Sequence, residues 1–214
     1  MFSRCRVCAI LLVLTLPTVW ASRAQSVSGQ SQSGSSERPR QSDELPDLVL
    51  KGNEKIVGQE PPIDSTVLPD IVDPIGGRKA IPLELSSVIA IATVTSRTAT
   101  IIHDEPRVLF QATIDRVLKS SEPSSIKSIE FSRYGGRLHF PSGRVQEYRI
   151  YGQRMPQVGV RYVLFLSGSM RTDFTLETAY LLSGSKAYAL DQSSVYREYD
   201  DVPERKLLDA IPAK

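Results

Sequence analysis

The sequence predicts an all-β fold, a small antiparallel barrel, and three observations support it. Every Phe and Tyr beyond the first two dozen residues lies between Phe110 and Tyr199, so the core must form there. Short apolar runs recur through this part of the chain at intervals typical of strands. The runs are separated by Gly, Pro and Ser, which favour tight turns. Such a pattern is typical of a barrel or sandwich.

Two runs define the first strands. Residues 88–94 are continuously apolar and rich in β-branched side chains, which predicts a strand buried on both faces. Residues 107–115 alternate, so Val108 and Phe110 face a core while the intervening positions are more polar. Burial of Phe110 alone contributes about 1.5–3 kcal/mol. Further strands are predicted at residues 126–131, 145–151, 162–166, 174–182 and 187–190.

The last part of the chain predicts a short helix. After Asp191 the sequence becomes polar, and Asp200, Asp201 and Pro203 have the composition of a helix start. The apolar side chains that would pack this helix against the domain are Leu207, Leu208 and Ile211. We therefore divide this part of the chain into a barrel domain at residues 84–192 and a polar tail with a short helix at residues 193–214.

The first 24 residues predict a signal peptide. Two arginines, a short apolar run and small residues follow one another in the order that signal peptidase recognises. The apolar run is too short for a membrane anchor, so no membrane span is expected after cleavage. Both cysteines, Cys5 and Cys8, lie in this leader. We expect an exported protein, periplasmic or secreted, whose domain holds together without disulfides.

Two segments separate the leader from the barrel. Residues 25–47 are rich in Ser, Gln and Gly and predict a disordered spacer. Residues 48–83 combine short apolar pairs with several prolines and predict an extended arm. Loss of Arg4, Arg6 and Arg23 with the leader lowers 26 basic residues to 23 against 24 acidic ones, so the formal charge of +2 becomes −1. Nucleic-acid binding is therefore not expected.

The strand and turn motifs follow one another in an order that is found in other proteins. Residues 87–94, residues 114–119, Gly135-Gly136 and residues 157–166 together resemble exported bacterial β-domain proteins of unknown function. The plan of those proteins is similar to the OB-like barrel of tissue inhibitors of metalloproteinases. The resemblance covers residues 84–192 and implies an OB-like barrel. The inhibitors chelate a metal through a free N-terminal Cys, and that mechanism is excluded here because the processed chain has no Cys.

The sequence contains no recognisable catalytic or metal-binding motif. His103 and His139 are the only histidines, and both read as parts of loops rather than as zinc ligands. No Gly-x-Ser-x-Gly elbow and no phosphate-binding glycine loop occur. We therefore predict no cofactor, no metal and no catalytic residue.

Residues 133–161 are richer in arginine than the rest of the sequence. Residues 133–161 contain six arginines against the single acid Glu147, interleaved with aromatic side chains. Arginines next to aromatic rings are suited to an anionic or sugar polymer. If Ile150 faces the core, strand alternation places Arg149 and Tyr151 on the outward face. The candidate ligand-binding residues are Arg133, Arg137, Arg144, Arg149 and Tyr151. The alternative is a solvated face that protects a sheet edge from aggregation.

Three classes of function follow from these observations. The leading hypothesis is a non-catalytic binding or interaction module of the cell envelope, whose partner is an envelope protein or an anionic or sugar polymer. An envelope hydrolase with a dispersed active site is the first alternative. A purely structural envelope component is the second.

Overall fold

A computed structural model describes residues 38–39, 41–49, 79–121, 126–169 and 173–212. The predicted signal peptide, most of the predicted spacer and most of the predicted arm lie outside these residues.

All seven predicted strands are present, together with the predicted C-terminal helix α1 at Glu204–Asp209. A 3-10 helix at Ser194–Tyr199 precedes it. The strands are β1 (Asp47–Val49), β2 (Val88–Ile102), β3 (Glu105–Ser120), β4 (Ser128–Tyr134), β5 (Gly136–His139), β6 (Val145–Tyr148), β7 (Arg161–Ser169), β8 (Asp173–Ser183), β9 (Lys186–Ala189) and β10 (Val202–Pro203).

Five strands close into a barrel in the order β2, β3, β4, β8 and β7, with β7 pairing back onto β2. This closed Greek-key plan is the one expected of an OB-like barrel. Four of the five pairings are antiparallel, as predicted. The β4–β8 pairing is parallel. A closed ring with an odd number of strands cannot alternate direction throughout, so the barrel is mixed rather than purely antiparallel.

Two hydrophobic cores explain the predicted burial of residues 88–94. Val88, Ala90 and Ala92 point into the barrel, where Phe110 stacks on Phe131 with ring centroids 5.2 Å apart. Ile89 and Ile91 point outward into a second core, which lies under the C-terminal helices and includes the buried side chains of Tyr180, Tyr196, Leu207 and Ile211. The first barrel strand is therefore buried on both faces because each face has its own core.

The predicted loop at His103 is a tight turn between β2 and β3. The turn residues His103 and Asp104 have φ of 50° and 62°. Two successive positive values are the geometry of the type I′ hairpin turn, in which Asp is favoured. His103 therefore lies in a turn, as predicted. His139 was also predicted to lie in a loop, but it is the last residue of β5 and pairs with Val145 of β6.

A second, three-stranded sheet lies beside the barrel in the order β1, β5 and β6. The first of these pairings is parallel and the second is antiparallel. Leu138 of β5 is completely buried, and Leu45, just before β1, belongs to the barrel core. Residues 41–49 are thus docked on the domain. Residues 41–47 belong to the predicted spacer, residues 25–47, and only Leu48 and Val49 of this docked segment belong to the predicted arm.

Candidate ligand-binding site

The six arginines between residues 133 and 161 do not form one surface. Arg133 is on β4 and its side chain is only 1% exposed. Its Nη2 donates a hydrogen bond of 2.7 Å to Asp191 Oδ2, and its Nη1 donates one of 2.6 Å to the Arg154 carbonyl. The prediction of Arg133 as a surface ligand contact does not fit this position, because a buried and paired guanidinium cannot meet a polymer.

The partner of Arg133 is itself fully engaged. Asp191 Oδ2 also accepts a hydrogen bond of 3.0 Å from Thr178 Oγ1, and Asp191 Oδ1 accepts one of 3.1 Å from the Arg154 backbone N–H. This carboxylate thus connects β4, β8 and the loop that carries Arg154. The buried pair positions that loop rather than binding a ligand.

Arg137 lies at the centre of an ionic row across the second sheet. Its neighbours in register are Asp47 on β1 and Glu147 on β6. The Nη2 atom lies 2.8 Å from Glu147 Oε1, and Nη1 lies 3.6 Å from Asp47 Oδ1. Arg149 forms a further ion pair with Glu147. Hydrogen bonding from Arg137 holds the pKa of Glu147 below its usual value, and Arg149 adds to this effect.

Arg144 lies in the turn between β5 and β6 and is partly buried. The positive charge of Arg144 lowers the pKa of Tyr148. Burial of the Tyr148 phenol has the larger effect and raises its pKa above the usual value. Arg144 therefore lies against the sheet and differs in setting from the exposed residues Arg149 and Tyr151.

Tyr151 is the most exposed large side chain of the cluster, at 80%. Tyr151 follows β6 and lines a depression of about 170 Å³. Arg149 and Arg154 of the same part of the chain line this depression, and so does Asp43 of the docked N-terminal segment. Arg154 Nε lies 3.0 Å from Asp43 Oδ1, so the docked N-terminal segment supplies one wall. Two of the predicted residues, Arg149 and Tyr151, are thus brought together beside a concave surface.

A second depression of about 330 Å³ continues from the first, because both are lined by Arg154 and Gln192. Arg38 and Arg197 also line this second depression. Arg38 Nη1 lies 3.1 Å from Asp200 Oδ2, whereas the exposed Arg197 side chain forms no ion pair with the residues that the structure describes. We name the joint surface the arginine groove, defined by Arg38, Arg149, Tyr151, Arg154, Gln192 and Arg197.

Four of the six groove residues were not among the candidates: Arg38, Arg154, Gln192 and Arg197. Arg154 was counted only as part of the arginine-rich stretch. Arg38 and Arg197 lie far from residues 133–161 in the chain and reach the groove only because the N-terminal segment and the 3-10 helix both dock near the end of β9. The neutralising acids were missed for the same reason. Asp43, Asp47 and Asp191 all come from outside the arginine-rich stretch.

The arginine groove provides guanidinium hydrogen-bond donors and the aromatic ring of Tyr151. Within the described ranges, no group of three or more His, Cys, Asp or Glu side chains is placed to hold a metal ion. No helix in the same ranges is long and apolar enough to cross a membrane. The guanidinium donors and the Tyr151 ring of the groove are suited to anionic or hydroxyl-bearing groups.

Comparison with known proteins finds no matching family model, curated protein or solved structure.

Proposed function

We propose that this protein is a non-catalytic binding module and that the arginine groove binds an anionic or sugar polymer. The observation that supports it is the exposed ring of Tyr151, with Arg149 and Arg154 lining the same depression. Aromatic rings stack on the flat faces of bases and sugars, and guanidinium groups bind carboxylate, sulfate or phosphate through two parallel hydrogen bonds.

Arg149 and Arg197 retain N–H donors that can bind a ligand. A guanidinium has five N–H donors, and the Arg149 ion pair with Glu147 engages one nitrogen, Nη2. The Arg197 side chain contributes a positive charge that no described acid neutralises. A polymer with regularly spaced anions could therefore contact Arg149 and Arg197 along the groove. Arg154 is already engaged, because its Nε lies 3.0 Å from Asp43 Oδ1 and its Nη1 donates a hydrogen bond of 3.2 Å to Gln41 Oε1.

The test is binding of the processed protein to heparin and to a panel of anionic glycans at low salt. We expect an Arg149→Ala, Tyr151→Ala double variant to bind at least about tenfold more weakly while keeping its melting temperature. Arg116→Ala is the matched control, because Arg116 is exposed on β3 and does not line the groove. Added salt should weaken binding, since exposed charges are screened over about 8–10 Å.

Equal retention of the double variant and the wild type would contradict the proposal. The cluster would then be a solvated surface that protects the edge of the second sheet.

We further propose that the module is exported to the cell envelope or the medium. The order of regions in residues 1–24 supports this, as does the resemblance to exported bacterial β-domain proteins. Mass spectrometry of envelope and medium fractions should find an N-terminus near Ser22 or Gln25. Recovery of most exported protein with Met1 retained would contradict it.

A further inference from the structure

The docked N-terminal segment lines both depressions of the arginine groove and is held there at two points. The first is Leu45, whose side chain is 6% exposed and belongs to the barrel core. The second is Arg38, whose Nη2 donates a hydrogen bond of 3.0 Å to the Ala189 carbonyl. Asp43 lies between these two residues in the chain and lines the smaller depression. We name residues 38–39 and 41–45 the strap.

Two side chains of the strap hold the guanidinium of Arg154. Arg154 Nε lies 3.0 Å from Asp43 Oδ1, and Arg154 Nη1 donates a hydrogen bond of 3.2 Å to Gln41 Oε1. Arg154 lines both depressions, so it lies where the two parts of the groove meet. The strap therefore neutralises the arginine at the centre of the surface that the proposed function uses.

The carboxylate of Asp43 has the chemistry of the proposed ligand. It accepts charge-assisted hydrogen bonds from a guanidinium in the same way as the carboxylate, sulfate or phosphate groups of an anionic polymer. The Asp43 side chain is 61% exposed, whereas the Arg154 side chain is 21% exposed. Water and salt screen an ion pair with one exposed partner, so a polyanion can displace Asp43 from Arg154.

We propose that Asp43 is an internal competitor for the arginine groove. Asp43 occupies Arg154 in the free protein, and an anionic polymer gains this guanidinium only by displacing the Asp43 carboxylate. The inference rests on the proposed function, because it requires that the groove bind anions. The competition favours densely charged polymers over small anions, because several contacts made by one polymer outweigh a single internal contact.

Binding of the processed protein to heparin and to the panel of anionic glycans at low salt tests the competition. We expect Asp43→Asn to bind about two- to fivefold more tightly than the wild type, the scale of one exposed charge pair. Asp115→Asn is the matched control. Asp115 also forms an exposed ion pair of 3.0 Å with an arginine, Arg161, but it does not line the groove. The control removes the same charge and should bind like the wild type.

A double-mutant cycle assigns the gain in affinity to Arg154. In an Arg154→Gln background, the Asp43→Asn substitution should give no further gain, because the guanidinium that it would free is absent. The melting temperature of each variant shows whether the fold is kept.

The reactivity of Arg154 toward phenylglyoxal measures the same contact without any polymer. This reagent modifies accessible guanidinium groups, and mass spectrometry of the peptide that contains Arg154 reports the rate. Arg154 should react faster in Asp43→Asn than in the wild type. Arg161 is the internal standard, because its ion pair with Asp115 is unchanged in this variant.

Three outcomes would overturn the inference: equal affinity of Asp43→Asn and the wild type, a gain that persists in the Arg154→Gln background, or unchanged reactivity of Arg154 toward phenylglyoxal. The proposed function would survive each of them, because binding through Arg149 and Tyr151 does not require displacement of Asp43. If neither the wild type nor Asp43→Asn binds heparin or any glycan of the panel, the proposed function and the inference are both wrong.

Discussion

The guanidinium of Arg133 and the carboxylate of Asp191 form an ion pair of 2.7 Å whose side chains are 1% and 4% exposed. Removal of one partner leaves the other charge buried without compensation, which costs about 3–5 kcal/mol. We expect Asp191→Ala to lower the free energy of unfolding by this amount in urea titrations. Asp115→Ala is the control, because its ion pair with Arg161 is exposed and contributes less than about 1 kcal/mol. Equal losses for the two variants would show that the buried pair has no special structural role.

The end of β7 requires glycine for a steric reason. Gly168 has φ of +100°, and a Cβ built there would lie 2.2 Å from the backbone oxygen of Asp173. Gly159 has φ of +81° with open space around the same position. We expect Gly159→Ala to cost about 1–2 kcal/mol from backbone strain, and Gly168→Ala to cost about 1–3 kcal/mol more from the clash. Thermal unfolding of both variants measures the difference, and similar losses would contradict the steric argument.

Buried tyrosines predict sensitivity to alkaline pH. Burial raises the pKa of Tyr162 and of Tyr180 above the usual value of 10.0. Above pH 10 the unfolded chain loses phenolic protons that the folded chain retains, so the free energy of unfolding falls as pH rises. Urea titrations at pH 8, 9.5 and 10.5 should show this decline, and Tyr180→Phe should make it shallower. Identical slopes for wild type and variant would contradict the assignment to Tyr180.

Described residues that precede the predicted barrel domain contact its interior. Leu45 is buried in the barrel core, and the Ala80 carbonyl accepts a hydrogen bond of 2.7 Å from the Tyr180 hydroxyl. We expect a fragment of residues 84–214 to unfold cooperatively, but with a free energy of unfolding about 2–5 kcal/mol below that of residues 36–214. A non-cooperative transition for the shorter fragment would show that the segment completes the core.

The strands of the barrel could be predicted because their patterns are local. Alternation at residues 107–115 and the continuous run at residues 88–94 depend only on neighbouring residues. β5 was missed because Gly136–His139 contains one inward apolar side chain, Leu138, and owes its strand geometry to pairing with β1 and β6. That pairing is set by the tertiary structure, which a four-residue window does not contain.

The candidate site was only partly predictable because its ion pairs, like the pairing of β5, are set by the tertiary structure. A charge excess within residues 133–161 says nothing about acids that folding brings from elsewhere, such as Asp43 and Asp191. One local signal was available for Arg133. It follows Ile129 and Phe131 at spacings of two residues on the same strand, so alternation places its side chain on the inward face.

Closure of the barrel has a consequence for the speed of folding. β2 pairs with β7 across most of the domain sequence, with Val88 opposite Leu166, and the seam between β4 and β8 joins Phe131 to Phe174. Contacts between such distant residues form late and slowly, because long loops must close before any stabilising contact is gained. A nascent chain that has reached β4 has the β2–β3 hairpin and its neighbour but no closed barrel. Folding to the native state must therefore await synthesis and release of nearly the entire domain.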